Sequence, residues 1–201
     1  KTLLETSTIN DNDPYLFLIL SAFYLEIYHE ADLRDIMRKY NELILAVFPH
    51  LRFTLEFPLA HSRRTLPRVL IVSSFFYKNT SVLEDFKGVL ERLPRDQFEI
   101  IFVYIKQNKH YDANYFQGKA EMVHIIETED KRGWLDIYRQ KISKLRPDLI
   151  LSLESTMAPV MNQSLMSRLA PKQAVTHGHP VTSGIATVDY YVSWAAAELP
   201  T

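Results

Sequence analysis

The sequence predicts an α/β protein: a parallel sheet with helices on both faces, preceded by a small helical segment. Two observations carry that prediction. From residue 67 onward, short β-branched runs alternate with helical patterns, which is the signature of βαβ units. The strongest run, Val69-Leu70-Ile71-Val72, is apolar without alternation, as a strand buried on both faces must be. The 201 residues are enough for one such core and a helical appendage.

Asp13-Pro14 starts a first helix, with Leu16, Phe17, Ile19, Leu20 and Phe23 on a broad apolar face. The apolar stretch 15–28 carries Glu26 and falls short of the roughly 20 residues a bilayer requires, so no membrane span is expected. A second helix is predicted over 32–47, where Leu33, Ile36, Met37, Tyr40, Leu43, Ile44 and Val47 recur at helical spacing. Residues 1–57 thus read as a helical hairpin. Residues 58–66 hold Pro58, His61, Arg63 and Arg64 without apolar periodicity and read as a linker, leaving 67–201 as the main domain. Within it, strands are predicted at 68–73, 98–105, 122–126, 149–153, 173–177 and 187–192, and helices at 81–93, 132–145 and 156–169. Ser81 and Glu84 stand at capping-box spacing, and Pro159 lies near the start of the last helix. The whole is a Rossmann-like arrangement.

A formal net charge of -1 gives no general attraction to nucleic acid, and no nucleic-acid partner is expected. The absence of cysteine excludes disulfides, thiolate catalysis and cysteine-held zinc, and is compatible with a cytoplasmic location. Ser73-Ser74-Phe75-Phe76-Tyr77 follows the first strand where a dinucleotide enzyme carries Gly-x-Gly-x-x-Gly, and no P-loop pattern occurs.

In an open parallel sheet, ligands bind beyond the carboxyl ends of the strands. The candidate rim is therefore Ser73, Ser74, Lys78 and Asn79 after the first strand, Glu154, Ser155 and Thr156 after the fourth, and His177 to Gly184 after the fifth. Helix amino ends at Ser81 and Thr156 would aim donors at the same rim. Ser73 and Ser74 equally suit strand termination and helix capping. His177 and His179 would share one side of an extended backbone, but no third ligand accompanies them, and no metal site is expected. The segment Gly178-His179-Pro180-Val181-Thr182-Ser183-Gly184 combines two glycines, a proline and hydroxyls, which suits a shaped binding loop or a plain surface loop. Asp189, on an otherwise apolar strand, needs a partner and is expected to pin the glycine turn before it.

The run from Arg168 to Gly184, Arg-Leu-Ala-Pro-Lys-Gln-Ala-Val-Thr-His-Gly-His-Pro-Val-Thr-Ser-Gly, followed by Val188-Asp189-Tyr190-Tyr191, resembles glycosyltransferase family 41. Its protein O-GlcNAc transferases show Gly-Tyr-Pro-Gly-Thr-Ser/Thr-Gly at this place, and its bacterial adhesin N-glycosyltransferases show Gly-His-Pro-Ala-Thr-Thr. Arg68 to Ser74 looks like the family's opening strand, and Asp96-Gln97-Phe98-Glu99-Ile100 like its second strand with the preceding turn. The resemblance implies a GT-B architecture of two Rossmann-like domains, of which this chain would supply the first. The second, with most UDP contacts, would lie beyond Thr201. It also implies an inverting, metal-free transfer from a UDP-sugar to an acceptor polypeptide at serine, threonine or asparagine, with no cofactor besides the donor.

Substrate contacts are expected from the rim at Ser73, Ser74, Lys78, Asn79, Ser155, His177, Gly178, Pro180, Thr182, Ser183 and Gly184. The family's histidine-proline pair after the first strand is replaced here by Tyr77-Lys78-Asn79-Thr80. The catalytic candidates are therefore His179 and Glu154. The alternative is a non-catalytic relative or stand-alone α/β module that recruits a protein partner.

Overall fold

The computed structural model describes residues 32–57, 64–106, 122–127, 133–155, 157–176 and 182–194. The first predicted helix, the linker stretch 58–63, Thr156 and the loop residues His177, Gly178, His179 and Pro180 lie outside the described residues.

Helix α1 (Arg34–Val47) is followed by a 3-10 turn at Pro49–Leu51 and a two-residue strand β1 (Phe53–Thr54). Then come β2 (Arg68–Ser73), α2 (Ser81–Arg92), β3 (Glu99–Lys106), β4 (Met122–Glu127), α3 (Trp134–Leu145), β5 (Leu149–Ser152), α4 (Pro159–Leu165), β6 (Ser167–Arg168), β7 (Lys172–Thr176) and β8 (Tyr190–Val192). Six strands form one sheet in the order β4-β3-β2-β5-β7-β8, and every neighbouring pair is parallel. Renumbered along the chain, that order is 3-2-1-4-5-6, the doubly wound Rossmann arrangement with its reversal between β2 and β5.

Alternation along the strands divides the core in two. Val69, Ile71, Ile100, Phe102 and Tyr104 face α2, which buries Val82, Leu83, Phe86 and Leu90 against them. Leu70, Val72, Ile101, Val103 and Ile150 face the other way, onto Trp134, Tyr138 and Ile142 of α3 and Met161 and Leu165 of α4. Ile44, Phe48 and Leu51 join that second layer, so the chain around α1 packs into the main core.

The predicted last helix, 156–169, is shorter than its apolar pattern. It runs only over Pro159–Leu165, and Ser167–Arg168 turns into β6, which pairs with β1 as a separate two-stranded sheet. A two-residue strand has no periodicity to read. The cap of α2 is Thr80 rather than Ser81: its Oγ1 accepts from the Leu83 amide at 3.2 Å, leaving Glu84 to pair with Lys87 one turn on. The amino end of α4 is set by Ala158 and Pro159, not Thr156. No described helix is long and apolar enough to cross a membrane.

Candidate functional site

The chain reversal places the carboxyl ends of β2 and β5 side by side, with β7 next to β5. Ser73, Ser74, Glu154 and Ser155 meet there. Glu154 is fully buried, and its carboxylate accepts from the Ser73 hydroxyl at 2.8 Å, the Ser74 hydroxyl at 2.9 Å and the Phe75 amide at 3.2 Å, and also from the Ser74 amide. One side chain of the β5 loop thereby gathers the whole start of the β2 loop. Among the described residues no arginine or lysine shares its hydrogen bonds. Burial pushes the Glu154 carboxyl up to about 7, against the opposing pull of the Ser74 amide and the two serine hydroxyls.

Beside it, the Oγ atoms of Ser152 and Ser155 are buried with no hydrogen-bond partner among the described residues. A buried hydroxyl left unpaired is costly and calls for a reason. Thr176, at the end of β7, donates to the Leu153 carbonyl at 2.6 Å and ties the third strand end to the same group. Lys78 and Asn79 sit exposed on the turn leading into α2, with Asn79 in the left-handed region at φ 68°. That conformation is one asparagine tolerates better than most residues, and it sets up Thr80 as the cap.

Thr182, Ser183 and Gly184 are held elsewhere, against α1. The Asn41 amide donates to the Ser183 carbonyl at 2.7 Å, and Gly184 has φ 60°. A Cβ on Gly184 would lie 2.5 Å from the Met37 Cβ and 2.7 Å from the Arg38 nitrogen, so only glycine permits this approach. Ser183 is buried and its hydroxyl accepts from the Ile185 amide. All three also line a cavity with Arg34 and Arg38, which stand between the apolar positions of α1.

Asp189 does not pin the glycine turn. It pairs with Arg168 and accepts from the Gln173 amide at 2.8 Å, fixing β8 to the start of β7. Partial burial works against its charge, but the Arg168 and Gln173 bonds outweigh that and hold its carboxyl below the usual range. Arg139 is a second residue the sequence concealed. Its guanidinium, lying over the Phe53 ring, donates to Ser167 Oγ at 3.0 Å and to the His50 and Leu51 carbonyls, joining the small sheet to α3. Among the described residues no group of three His, Asp or Glu side chains converges.

No family model matches the sequence, and no curated protein matches it either. Among solved structures, the chain is similar to an O-GlcNAc transferase of Thermobaculum terrenum (the K341M mutant), with a TM-score of 0.65 and 15% identity. The chain shares the fold of the part of that transferase it matches. The match covers 89% of this chain and 34% of the transferase, so the chain spans about a third of its length.

Proposed function

We propose that this chain is the first Rossmann-like domain of an inverting glycosyltransferase that moves a sugar from a UDP-sugar to a protein side chain. The observation that carries the reading is the hydroxyl-rich reversal point between β2 and β5, set in the fold of an O-GlcNAc transferase. The likeness of residues 168–184 to the family 41 loop agrees with it. In the reaction, an acceptor oxygen or nitrogen attacks the anomeric carbon, the bond from that carbon to the UDP oxygen breaks, and a base takes the acceptor's proton. His179, three residues after the end of β7, is our choice of base.

Glu154 lies behind the rim rather than on it, so its part is to position Ser73, Ser74 and Phe75 at the crevice. Ser155, whose hydroxyl is buried and unpaired among the described residues, is the nearest candidate to bond a donor or acceptor group.

The test is UDP release from a panel of UDP-sugars by the longest native polypeptide that contains this chain. Turnover that survives His179→Ala unchanged would remove the base assignment. No turnover with any donor would leave the recruiting module as the better reading. This chain alone is expected to transfer no sugar.

A further inference from the structure

A cavity of about 290 Å3 lies between the first turns of α1 and the β7–β8 end of the sheet. Arg34 and Arg38 line one part of it, and Thr182, Ile185, Val188 and Tyr190 line the rest. The two arginines are four residues apart, hence neighbours on one helix face. Each meets a carboxylate only loosely, Arg34 with Asp32 at 3.9 Å and Arg38 with Asp35 at 3.5 Å. All four of these side chains are largely exposed, so such pairs contribute little and yield readily to a better acceptor. Asp189, also at the cavity, is committed to Arg168 and the Gln173 amide and does not compete for them.

We infer that this cavity binds an acidic segment of polypeptide, one carboxylate bridging Arg34 and Arg38 while an adjacent aliphatic side chain fills the space against Ile185 and Val188. Guanidinium groups with free donors favour a planar, bidentate acceptor such as a carboxylate. The volume sits at the lower bound of pockets for small-molecule ligands, roughly 300 to 1,000 Å3, and suits one or two side chains better than a nucleotide sugar. The walls are preformed, because Gly184 is packed onto Met37 and Asn41 bonds Ser183. A preformed site loses little order on binding. Tyr190, 54% exposed on the edge strand beside it, extends the contact surface. This inference extends the acceptor-polypeptide part of the proposed function.

The experiment is fluorescence polarisation of a labelled peptide of alternating leucine and aspartate, with a leucine and lysine counterpart, against the full chain. The acidic peptide is expected to bind at least about tenfold more tightly than the basic one. Arg34→Ala with Arg38→Ala, and separately Ala186→Trp, which fills the cavity from an exposed lining position and leaves the charges in place, should each weaken binding at least about tenfold. A circular dichroism melt confirms that both variants fold. Equal binding of the two peptides, no binding of the acidic one, or unchanged affinity in either variant overturns the inference. So does displacement by inorganic phosphate at the peptide's own concentration, since charge alone would then be recognised. The readout needs no sugar transfer: peptide binding by this chain with no UDP-sugar turnover by the longer polypeptide would sink the transferase reading and keep this one, and turnover by the longer polypeptide without peptide binding the reverse.

Discussion

The two ends of the sheet are built on opposite principles. At the amino end charged side chains hold one another: Asp148 accepts from the Arg68 amide at 2.7 Å and the Arg64 guanidinium at 3.0 Å. Arg68 grips Glu99 at two points, 2.9 and 2.8 Å, and donates to the Leu145 carbonyl. At the carboxyl end, among the described residues, a carboxylate is buried with only hydroxyls and amides to hold it, and two serine hydroxyls are buried with no partner. The first arrangement secures strand starts. The second leaves polar groups desolvated at the very place where such a sheet binds ligands, which is how a site, rather than a scaffold, is composed.

The largest effect should come from Glu154→Ala. It strands the Ser73 and Ser74 hydroxyls and the Ser74 and Phe75 amides, and is expected to cost about 3 to 5 kcal/mol in denaturant unfolding. A loss under about 1 kcal/mol would mean that this end is not organised by the carboxylate. The contrast can be sharpened by pH. The folded-state value of Glu154, about 7, stands above its ordinary 4.5, so the folded protein holds this proton more tightly than the unfolded chain. Its contribution is therefore fully present below about pH 4.5 and is lost as pH rises through 7, a fall of about 3 kcal/mol at most. Glu154→Gln should flatten that part of the stability profile. A profile identical in the variant would show that some other group titrates there.

Arg68→Ala tests the amino end. The pair with Glu99 is mostly buried, and its loss should cost about 1 to 2 kcal/mol while leaving the slope between pH 4.5 and 7 as it was. A cost exceeding that of Glu154→Ala would reverse the ranking of the two ends.

How much of this was legible follows from the same contrast. The main strands were readable because they are buried on both faces, which writes itself as unbroken runs such as Val69 to Val72. The rim serines and Glu154 were locatable as a group, since they follow the first and fourth strands, but the bond between Glu154 and the β2 loop was not, because it joins residues 81 apart in the chain. The β1–β6 pair, two residues on each side, had too little sequence to carry a period. Arg34 and Arg38 carry no sequence signal of a site, because the cavity they line is made by the docking of Gly184 onto Met37 across the chain.

The smallest effect is the most discriminating. Ser155 Oγ is buried without a hydrogen bond to any described residue, so the folded state gains nothing from its polarity and bears the desolvation. Ser155→Ala removes the hydroxyl without leaving a donor or acceptor behind, and should leave stability unchanged or raise it by up to about 1 kcal/mol. If the hydroxyl is kept for a ligand, the same change should weaken UDP-sugar turnover or acceptor use in the longer polypeptide about tenfold, the value of one well-placed hydrogen bond. Stability and function would then move in opposite directions at a single atom. A loss of stability above about 1 kcal/mol would instead show that the hydroxyl has a protein partner, and the carboxyl end of the sheet would be scaffold like the amino end.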